Sequence, residues 1–184
     1  SAKRSRTAIG LAARWISRMR DLLTLVQRGV VRPMRPDKLL RIVLAWRRWG
    51  ITLPLGYAVG AIRTPDRPAL IDERGALSFA DVDQRTTRLA HGLRDRGVRR
   101  ADRVGLLCRN HHGLVETMLA CAKIGADVVL LNTGLTEQQL ADTLDQQGVH
   151  VLVCDEEFDS SSFQDVTVVL AWTDGTTRRP TLEH

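Results

Sequence analysis

Residues 108–116 bring together side chains of the types that bind metals or transfer protons. His111 and His112 are adjacent, and Glu116 follows His112 by one turn if the segment is helical. Two such side chains can share a metal ion, but a metal site needs at least one further ligand, and the sequence offers none at a suitable spacing. We therefore predict no metal site in this segment.

The three cysteines, Cys108, Cys121 and Cys154, are the other reactive side chains. They share no spacing typical of a zinc site, and their odd number argues against a disulfide framework. Two lie at the ends of apolar, strand-like runs and one lies on the apolar side of a predicted helix. We predict that all three are core thiols in a reducing cytoplasm.

An alternating series of strands and helices must position these residues. Apolar runs start at Val104, Val128 and Val149, about 23 residues apart, and helical patterns separate them. This spacing is typical of parallel strands joined by crossover helices, and the unbroken apolar runs are typical of a sheet covered on both faces. The predicted fold class is α/β, with a mostly parallel sheet flanked by helices. Further strands are predicted at residues 69–71 and 167–171.

The predicted helices carry recognisable end signals. Ser78 with Asp81, and Thr136 with Gln139, have the spacing of capping boxes, and Asn110 is the expected N-cap of the helix between them. A glycine follows each of these three helices and is expected to end it. The three glycines are Gly97, Gly125 and Gly148.

The first 50 residues are strongly basic. They contain 13 Lys and Arg against only Asp21 and Asp37, a net charge of +11, whereas residues 51–184 carry a net charge of −5. The high isoelectric point of the chain, about 10.0, therefore comes from the N-terminal segment alone.

This basic segment predicts two amphipathic helices that precede the α/β fold. Apolar residues at helical spacing indicate one helix over residues 9–26, and a second is expected to start at Pro36 and to end at Gly50. The predicted domain organisation is a basic helical segment over residues 1–60 and an α/β subdomain over residues 61–184.

Three interpretations of the two helices remain open. They pack on the α/β domain or on the rest of a larger protein, or they lie in the interface of an anionic membrane, with tryptophans at headgroup depth. Nucleic-acid binding is the least favoured, because the chain contains no recognisable DNA- or RNA-binding module, and we expect no nucleic-acid partner. The candidate membrane or docking residues are Arg14, Trp15, Arg18, Arg41, Trp46, Arg48 and Trp49.

Several segments together resemble the N-terminal part of the acyl-CoA synthetases, which belong to the adenylate-forming superfamily. The segments occur in the family's order and spacing, and they cover about half of the chain, although Ala101 stands where the family usually has glycine. The tripeptide Arg109-Asn110-His111 and the basic helical segment resemble the actinobacterial fatty-acyl ligases. The other matching segments are residues 65–70 (PDRPAL), 77–82 (LSFADV), 99–104 (RRADRV) and 123–133 (KIGADVVLLNT).

The resemblance implies the N-terminal part of an ATP-dependent fatty acid–CoA ligase. Such an enzyme converts a fatty acid to an acyl-adenylate and then to a coenzyme A thioester, using ATP, Mg²⁺ and coenzyme A. The family's phosphate loop, adenine pocket, ribose-binding Asp, hinge and catalytic Lys lie downstream and cannot be placed on this chain. We therefore expect no catalytic or cofactor-binding residue here, no bound cofactor and no activity of the chain alone. The resemblance also implies that His111 and His112 border the acyl tunnel.

Residues 173–180 (TDGTTRRP) superficially resemble that phosphate loop. A phosphate cradle needs small residues so that backbone N–H groups can approach the anion, whereas Arg178 takes the place of the second glycine. No Lys follows Pro180, and Asp174 would repel phosphate. We predict a turn after a strand instead, so the chain is expected to stop before the true phosphate loop.

The alternative function is a non-catalytic module on the same scaffold, which binds a membrane periphery or another protein. The predicted location is the cytoplasm, with the inner face of the membrane as the candidate site of peripheral attachment. Because the remainder of such an enzyme would cover part of the sheet, we also expect the isolated chain to self-associate through an exposed apolar face.

Overall fold

The structure is a computed structural model of the 184-residue chain. Contacts within the chain divide it into two units, residues 1–39 and residues 40–184, and every described strand belongs to the second unit. The described residues are 35–50, 52–158, 163 and 166–172.

Some of the sequence predictions fall outside the described residues. These are the helix over residues 9–26 with its Arg14, Trp15 and Arg18, and the turn over residues 173–180.

Four strands form a parallel sheet, and two more form a separate antiparallel hairpin. Five of the six described strands start within two residues of a predicted position, and the parallel α/β sheet is confirmed; the strand over residues 75–78 has no predicted position of its own. The spatial order places two of the strands, β3 and β5, at the centre: β4-β3-β5-β6. The strands are β1 (Pro68–Asp72) and β2 (Gly75–Ser78) of the hairpin, then β3 (Arg103–Leu107), β4 (Asp127–Leu130), β5 (Val151–Asp155) and β6 (Thr167–Trp172) of the sheet.

Among the residues that the structure describes, five α-helices precede or connect these strands. The second basic helix predicted from the sequence is confirmed, and it runs from Pro36 to the residue before Gly50. The helices are α1 (Pro36–Trp49), α2 (Leu53–Arg63), α3 (Phe79–Asp95), α4 (His112–Ile124) and α5 (Glu137–Gln147), and a 3-10 turn follows β5 (Glu156–Phe158).

The sheet is buried on both faces. Alternate residues of β3 and β5, such as Val104 and Val153, pack against α3 and α4 on one face. The intervening residues, such as Leu107 and Leu152, pack against α5 on the other face. This three-layer arrangement explains why the strands read as continuous apolar runs rather than as alternating ones.

Both predicted capping boxes are confirmed. Ser78 Oγ accepts a hydrogen bond from the Asp81 amide at 3.1 Å, and the Asp81 carboxylate accepts one from the Ser78 amide at 3.0 Å. Thr136 and Gln139 make the same reciprocal pair at the start of α5. Such local signals fix where each helix begins and therefore which residues lie at the carboxyl edge of the sheet.

Helix α2 was not expected from the sequence. Two glycines, Gly56 and Gly60, and an almost uniformly apolar composition conceal its pattern, although Pro54 occupies a first-turn position that favours a helix start. The predicted domain boundary after residue 60 falls within this helix. Gly60 explains the tolerance for glycine, because a Cβ atom there would lie 2.2 Å from the Phe79 ring at the start of α3.

We expect Gly60→Ala to lower the free energy of unfolding by about 2 kcal/mol, since the Phe79 ring must move to admit the methyl group. Gly56→Ala is the matched control in the same helix, because a Cβ atom there has open space around it. That variant should gain up to about 1 kcal/mol from helix propensity. Urea denaturation of the two variants measures the difference, and equal effects would show that the contact with Phe79 does not limit this position.

Within the described part of the chain, no helix is both long enough and apolar enough to cross a lipid bilayer.

Candidate functional site

The carboxyl ends of β3 and β5 form the edge at which the candidate residues gather. These strands are neighbours, but the chain leaves them in opposite directions, through α4 to β4 on one side and towards β6 on the other. This is a topological switch point, and the crevice at such a point is the usual ligand site of open α/β sheets. A cavity of about 730 Å³ opens at this edge, and Cys108, His111 and Asp155 are among the residues that line it.

His111 is held at this edge by two hydrogen bonds. Its Nδ1 accepts the amide N–H of Gly113 at 3.0 Å, and its Nε2 lies 2.7 Å from Oδ1 of Asp155. Because Nδ1 accepts, the ring proton of the neutral imidazole is on Nε2, which donates to Asp155. His111 is thus the N-cap of α4, and the prediction that Asn110 caps this helix is wrong.

Asp155 ends β5 and is a buried residue of the cavity lining. Besides the bond from His111, its Oδ2 accepts the backbone N–H of Arg109 at 2.7 Å. One carboxylate therefore ties the loop after β3 to the end of β5. The sequence signal was available, because an acidic residue directly after a buried apolar run often marks the functional edge of a parallel sheet.

His112 belongs to a second histidine–carboxylate pair. Its Nδ1 bonds to Asp72, the last residue of β1, and the Asp72 carboxylate also accepts the His112 amide N–H at 2.9 Å. Desolvation opposes ionisation of Asp72, but amide hydrogen bonds from His112 and Arg74 outweigh it and lower the pKa of this carboxyl. The ionised carboxylate fastens the hairpin to the start of α4.

Glu116 does not join His112, although the sequence places them one turn apart. Its buried carboxylate pairs with Arg85 of α3, with Nε to Oε1 at 2.5 Å and Nη2 to Oε2 at 3.2 Å. A second pair, Lys123 with Asp83 at 2.8 Å, links the same two helices. These charges hold α3 against α4 and are not part of the cavity.

All three cysteines are free thiols, and the prediction of a core position is confirmed for Cys121 and Cys154 but is wrong for Cys108. Cys121 and Cys154 are buried, and Cys108 is partly buried at the cavity. Burial raises the pKa of Cys121 to about 12, and burial together with the charge of Asp155 raises that of Cys108 still further. The Cys108 thiol instead donates to the carbonyl of Val153 at 3.6 Å, so it is a poor nucleophile.

The ligand atoms of Cys108, His111 and Asp155 lie within 4.8 Å of one another, which raises the question of a metal ion. Coordination through Nε2 of His111 would move the ring proton to Nδ1, which faces the N–H of Gly113. Gly113 cannot retreat readily, because a Cβ atom at this position would already lie 3.1 Å from the carbonyl of Ala171. The geometry therefore fits a hydrogen-bonded helix cap better than a metal centre, and the expected lack of a metal site stays a prediction.

Two features of the described residues at this edge oppose the binding of a phosphate group. Two amides at the start of α4 already have acceptors, Asp72 for His112 and His111 for Gly113, and at the start of α5 Thr136 accepts from Gln139. Carboxylates also dominate the lining of the cavity, and they would repel phosphate: Asp72, Glu73, Asp155, Glu156 and Glu157.

The candidate docking residues of α1 separate onto different faces. Trp46 is exposed, whereas the indole nitrogen of Trp49 is buried and has no hydrogen-bond partner among the described residues. Lys123 of α4 and Arg48 lie over the Trp49 ring, at 5.8 and 5.4 Å from its centroid. Trp49 is therefore an attachment point of α1 on the domain rather than a free surface residue.

The similarity of this chain to known proteins covers most of its α/β subdomain. The family model described as "AMP-binding enzyme" matches residues 58–181. A medium/long-chain-fatty-acid–CoA/3-oxocholest-4-en-26-oate–CoA ligase of Mycobacterium marinum is 36% identical over 102 residues, which cover 55% of this chain and 18% of that protein. A feruloyl-CoA synthase of Amycolatopsis is 44% identical over 78 residues, which cover 42% of this chain and 16% of that protein.

Solved structures share the same fold. A protein described as a long-chain-fatty-acid CoA ligase of Rhodopseudomonas palustris superposes with a TM-score of 0.64 at 28% identity, over 72% of this chain and 35% of that one. The O-succinylbenzoate coenzyme A synthetase of Bacillus subtilis, in complex with AMP, gives a TM-score of 0.59 at 29% identity, over 62% of this chain and 30% of that one. The chain spans less than a fifth of the length of the two curated relatives described above.

Proposed function

The chain belongs to the family of AMP-binding enzymes, and on this premise we propose that it is the N-terminal part of an ATP-dependent ligase that joins a carboxylic acid to coenzyme A. The observation that carries the proposal is the family match over residues 58–181, which coincides with the α/β sheet and its crossover helices. The whole enzyme would form an acyl-adenylate first and a thioester second, with ATP, Mg²⁺ and coenzyme A as its cofactors.

We infer that the carboxylic acid is a fatty acid. Support comes from relatives named as medium/long-chain fatty acid ligases in Mycobacterium marinum and in Mycobacterium tuberculosis, each 36% identical to this chain. Relatives named for aromatic acids, feruloyl-CoA synthase and 2-succinylbenzoate–CoA ligase, define the competing substrate class. His111 lines the cavity at the carboxyl edge and is the better candidate for the border of an acyl tunnel, since His112 is occupied by the hairpin.

The nucleotide is handled, in this proposal, by parts of the enzyme other than the described residues. The carboxylates that line the cavity and the occupied amides of His112 and Gly113 support this division, because neither favours a phosphate group. The 184-residue chain then serves as a scaffold, which consists of the basic helical segment over residues 1–60 and the α/β subdomain over residues 61–184. Self-association of the isolated chain and its location in the cytoplasm stay predictions.

ATP–pyrophosphate exchange tests this proposal. We expect no exchange from the 184-residue chain with any fatty or aromatic acid. The complete product of its gene, read beyond His184 wherever the reading frame continues, should show Mg²⁺-dependent exchange with fatty acids and should form a thioester with coenzyme A.

Two results would contradict the proposal in different ways. Exchange catalysed by the 184-residue chain alone would disprove the proposal that the nucleotide site lies in other parts of the enzyme. A complete gene product that forms no adenylate and no thioester with either acid class would disprove the ligase function, and would favour the non-catalytic module on the same scaffold.

A further inference from the structure

Helix α1 exposes its apolar side. Leu40 is 60% exposed, Leu44 56%, Trp46 54% and Val43 40%. The residues on the opposite side of the helix, which faces the other helices of residues 40–184, are half-buried. They include Trp49, whose ring lies beneath Lys123. The helix is thus attached along one side and presents on the other an apolar strip that contains Arg47.

Positive charge borders this strip. Arg41 and Arg48 lie along one edge of α1, and Arg47 lies among the exposed apolar residues. The helix contains one acidic residue, Asp37 in its first turn. Asp83 of α3 lines the same groove as Arg41 and Leu44, and its carboxylate pairs with Lys123. An arginine within such a strip can extend its guanidinium to the headgroups while its methylene groups stay in the apolar layer.

Length decides how such a helix meets a bilayer. Its 14 residues span about 21 Å at 1.5 Å per residue, which is shorter than the apolar core of a membrane. A helix with an apolar strip, arginines at its border and an exposed tryptophan has the composition of one that lies in the plane of the interface.

We propose that α1 is an interfacial membrane anchor, which inserts Leu40, Val43, Leu44 and Trp46 into a bilayer that contains anionic phospholipid. The arginines at its border contact the headgroup phosphates, and Trp49 transmits the attachment to the α/β domain through α4. This surface is independent of the ligase chemistry, since it lies on α1 and uses no residue of the cavity at the carboxyl edge. A second copy of the chain is the competing occupant of the apolar strip, but two copies would place the bordering arginines near one another.

Vesicle co-sedimentation of the complete 184-residue chain tests the anchor. Vesicles of phosphatidylcholine with about 30% phosphatidylglycerol should bind the chain, vesicles of phosphatidylcholine alone should bind it more weakly, and salt should reduce the difference. The double variant Leu44→Gln/Trp46→Gln should bind the anionic vesicles about tenfold more weakly or worse. Arg41→Gln/Arg48→Gln should lose the preference for anionic lipid and keep the weaker binding.

The matched control uses exposed aliphatic residues away from α1. Ile71→Gln/Leu130→Gln removes two side chains that are 77% and 62% exposed, and it should leave vesicle binding unchanged. Circular dichroism of every variant establishes that the fold is retained. Three results would overturn the proposal: no binding of the chain to anionic vesicles, binding unaffected by the α1 variant, or equal loss in the control. If light scattering shows that the chain is a dimer and that the α1 variant is a monomer, and if the chain does not bind vesicles, the surface belongs to a second copy of the chain.

Discussion

Asp155→Ala is expected to lower the free energy of unfolding by about 3 kcal/mol, because it removes a buried carboxylate that accepts hydrogen bonds from two donors. These donors are Nε2 of His111 and the backbone N–H of Arg109, each 2.7 Å from the carboxylate. Without this carboxylate, the end of β5 is held less firmly to the loop after β3, and the His111 cap of α4 is weakened as well. Urea denaturation followed by circular dichroism gives the value.

Asp155→Asn is the matched control for that variant. A carboxamide has one acceptor oxygen, and its NH₂ group cannot accept from either donor. His111 cannot compensate by moving its proton to Nδ1, since that atom accepts from Gly113. We therefore expect the asparagine variant to lose about half as much stability as the alanine variant. Equal stability of the asparagine variant and the parent chain would show that only one of the two bonds matters.

Arg85→Met is expected to cost about 3 kcal/mol, since it strands the carboxylate of Glu116 in the interface between α3 and α4. Glu116 is 2% exposed, and Arg85 supplies two bonds to it. Arg85 itself is about one-third exposed, so the cost belongs near the lower end of the range for a broken buried pair. The midpoint of urea denaturation measures it.

The double variant Arg85→Met/Glu116→Leu separates the charge from the contact. Removing both charges replaces the pair by apolar groups of similar volume, and stability should return to within about 1 kcal/mol of the parent chain. A double variant as unstable as Arg85→Met would mean that packing, not the unpaired charge, determines the loss.

Local signals account for what the sequence predicted correctly. The strands were found because a sheet covered on both faces requires unbroken apolar runs, as in Val104 to Leu107. Helix starts were found where a side chain bonds to an amide three residues away, as Ser78 does with Asp81. Both kinds of signal act within a few residues, so a single sequence contains them.

Long-range pairing accounts for what the sequence missed. His111 and Asp155 are 44 residues apart, and His112 and Asp72 are 40 residues apart, so each pair forms only when the strands and the hairpin are in place. Histidine is also not a preferred N-cap, whereas asparagine is, so the sequence alone favours Asn110. Helix α2 was missed because Gly60 serves the contact with Phe79, at the expense of helix propensity.

The spatial order of the sheet also has a consequence for synthesis on the ribosome. Strand β3 occupies an inner position, yet its second neighbour, β5, begins at Val151, 44 residues after β3 ends at Leu107. At about 5–20 residues per second, that interval lasts on the order of seconds, and during it one hydrogen-bonding edge of an apolar strand is unpaired. The emerging polypeptide therefore carries, during that interval, an unpaired apolar strand edge of the kind through which nascent chains aggregate.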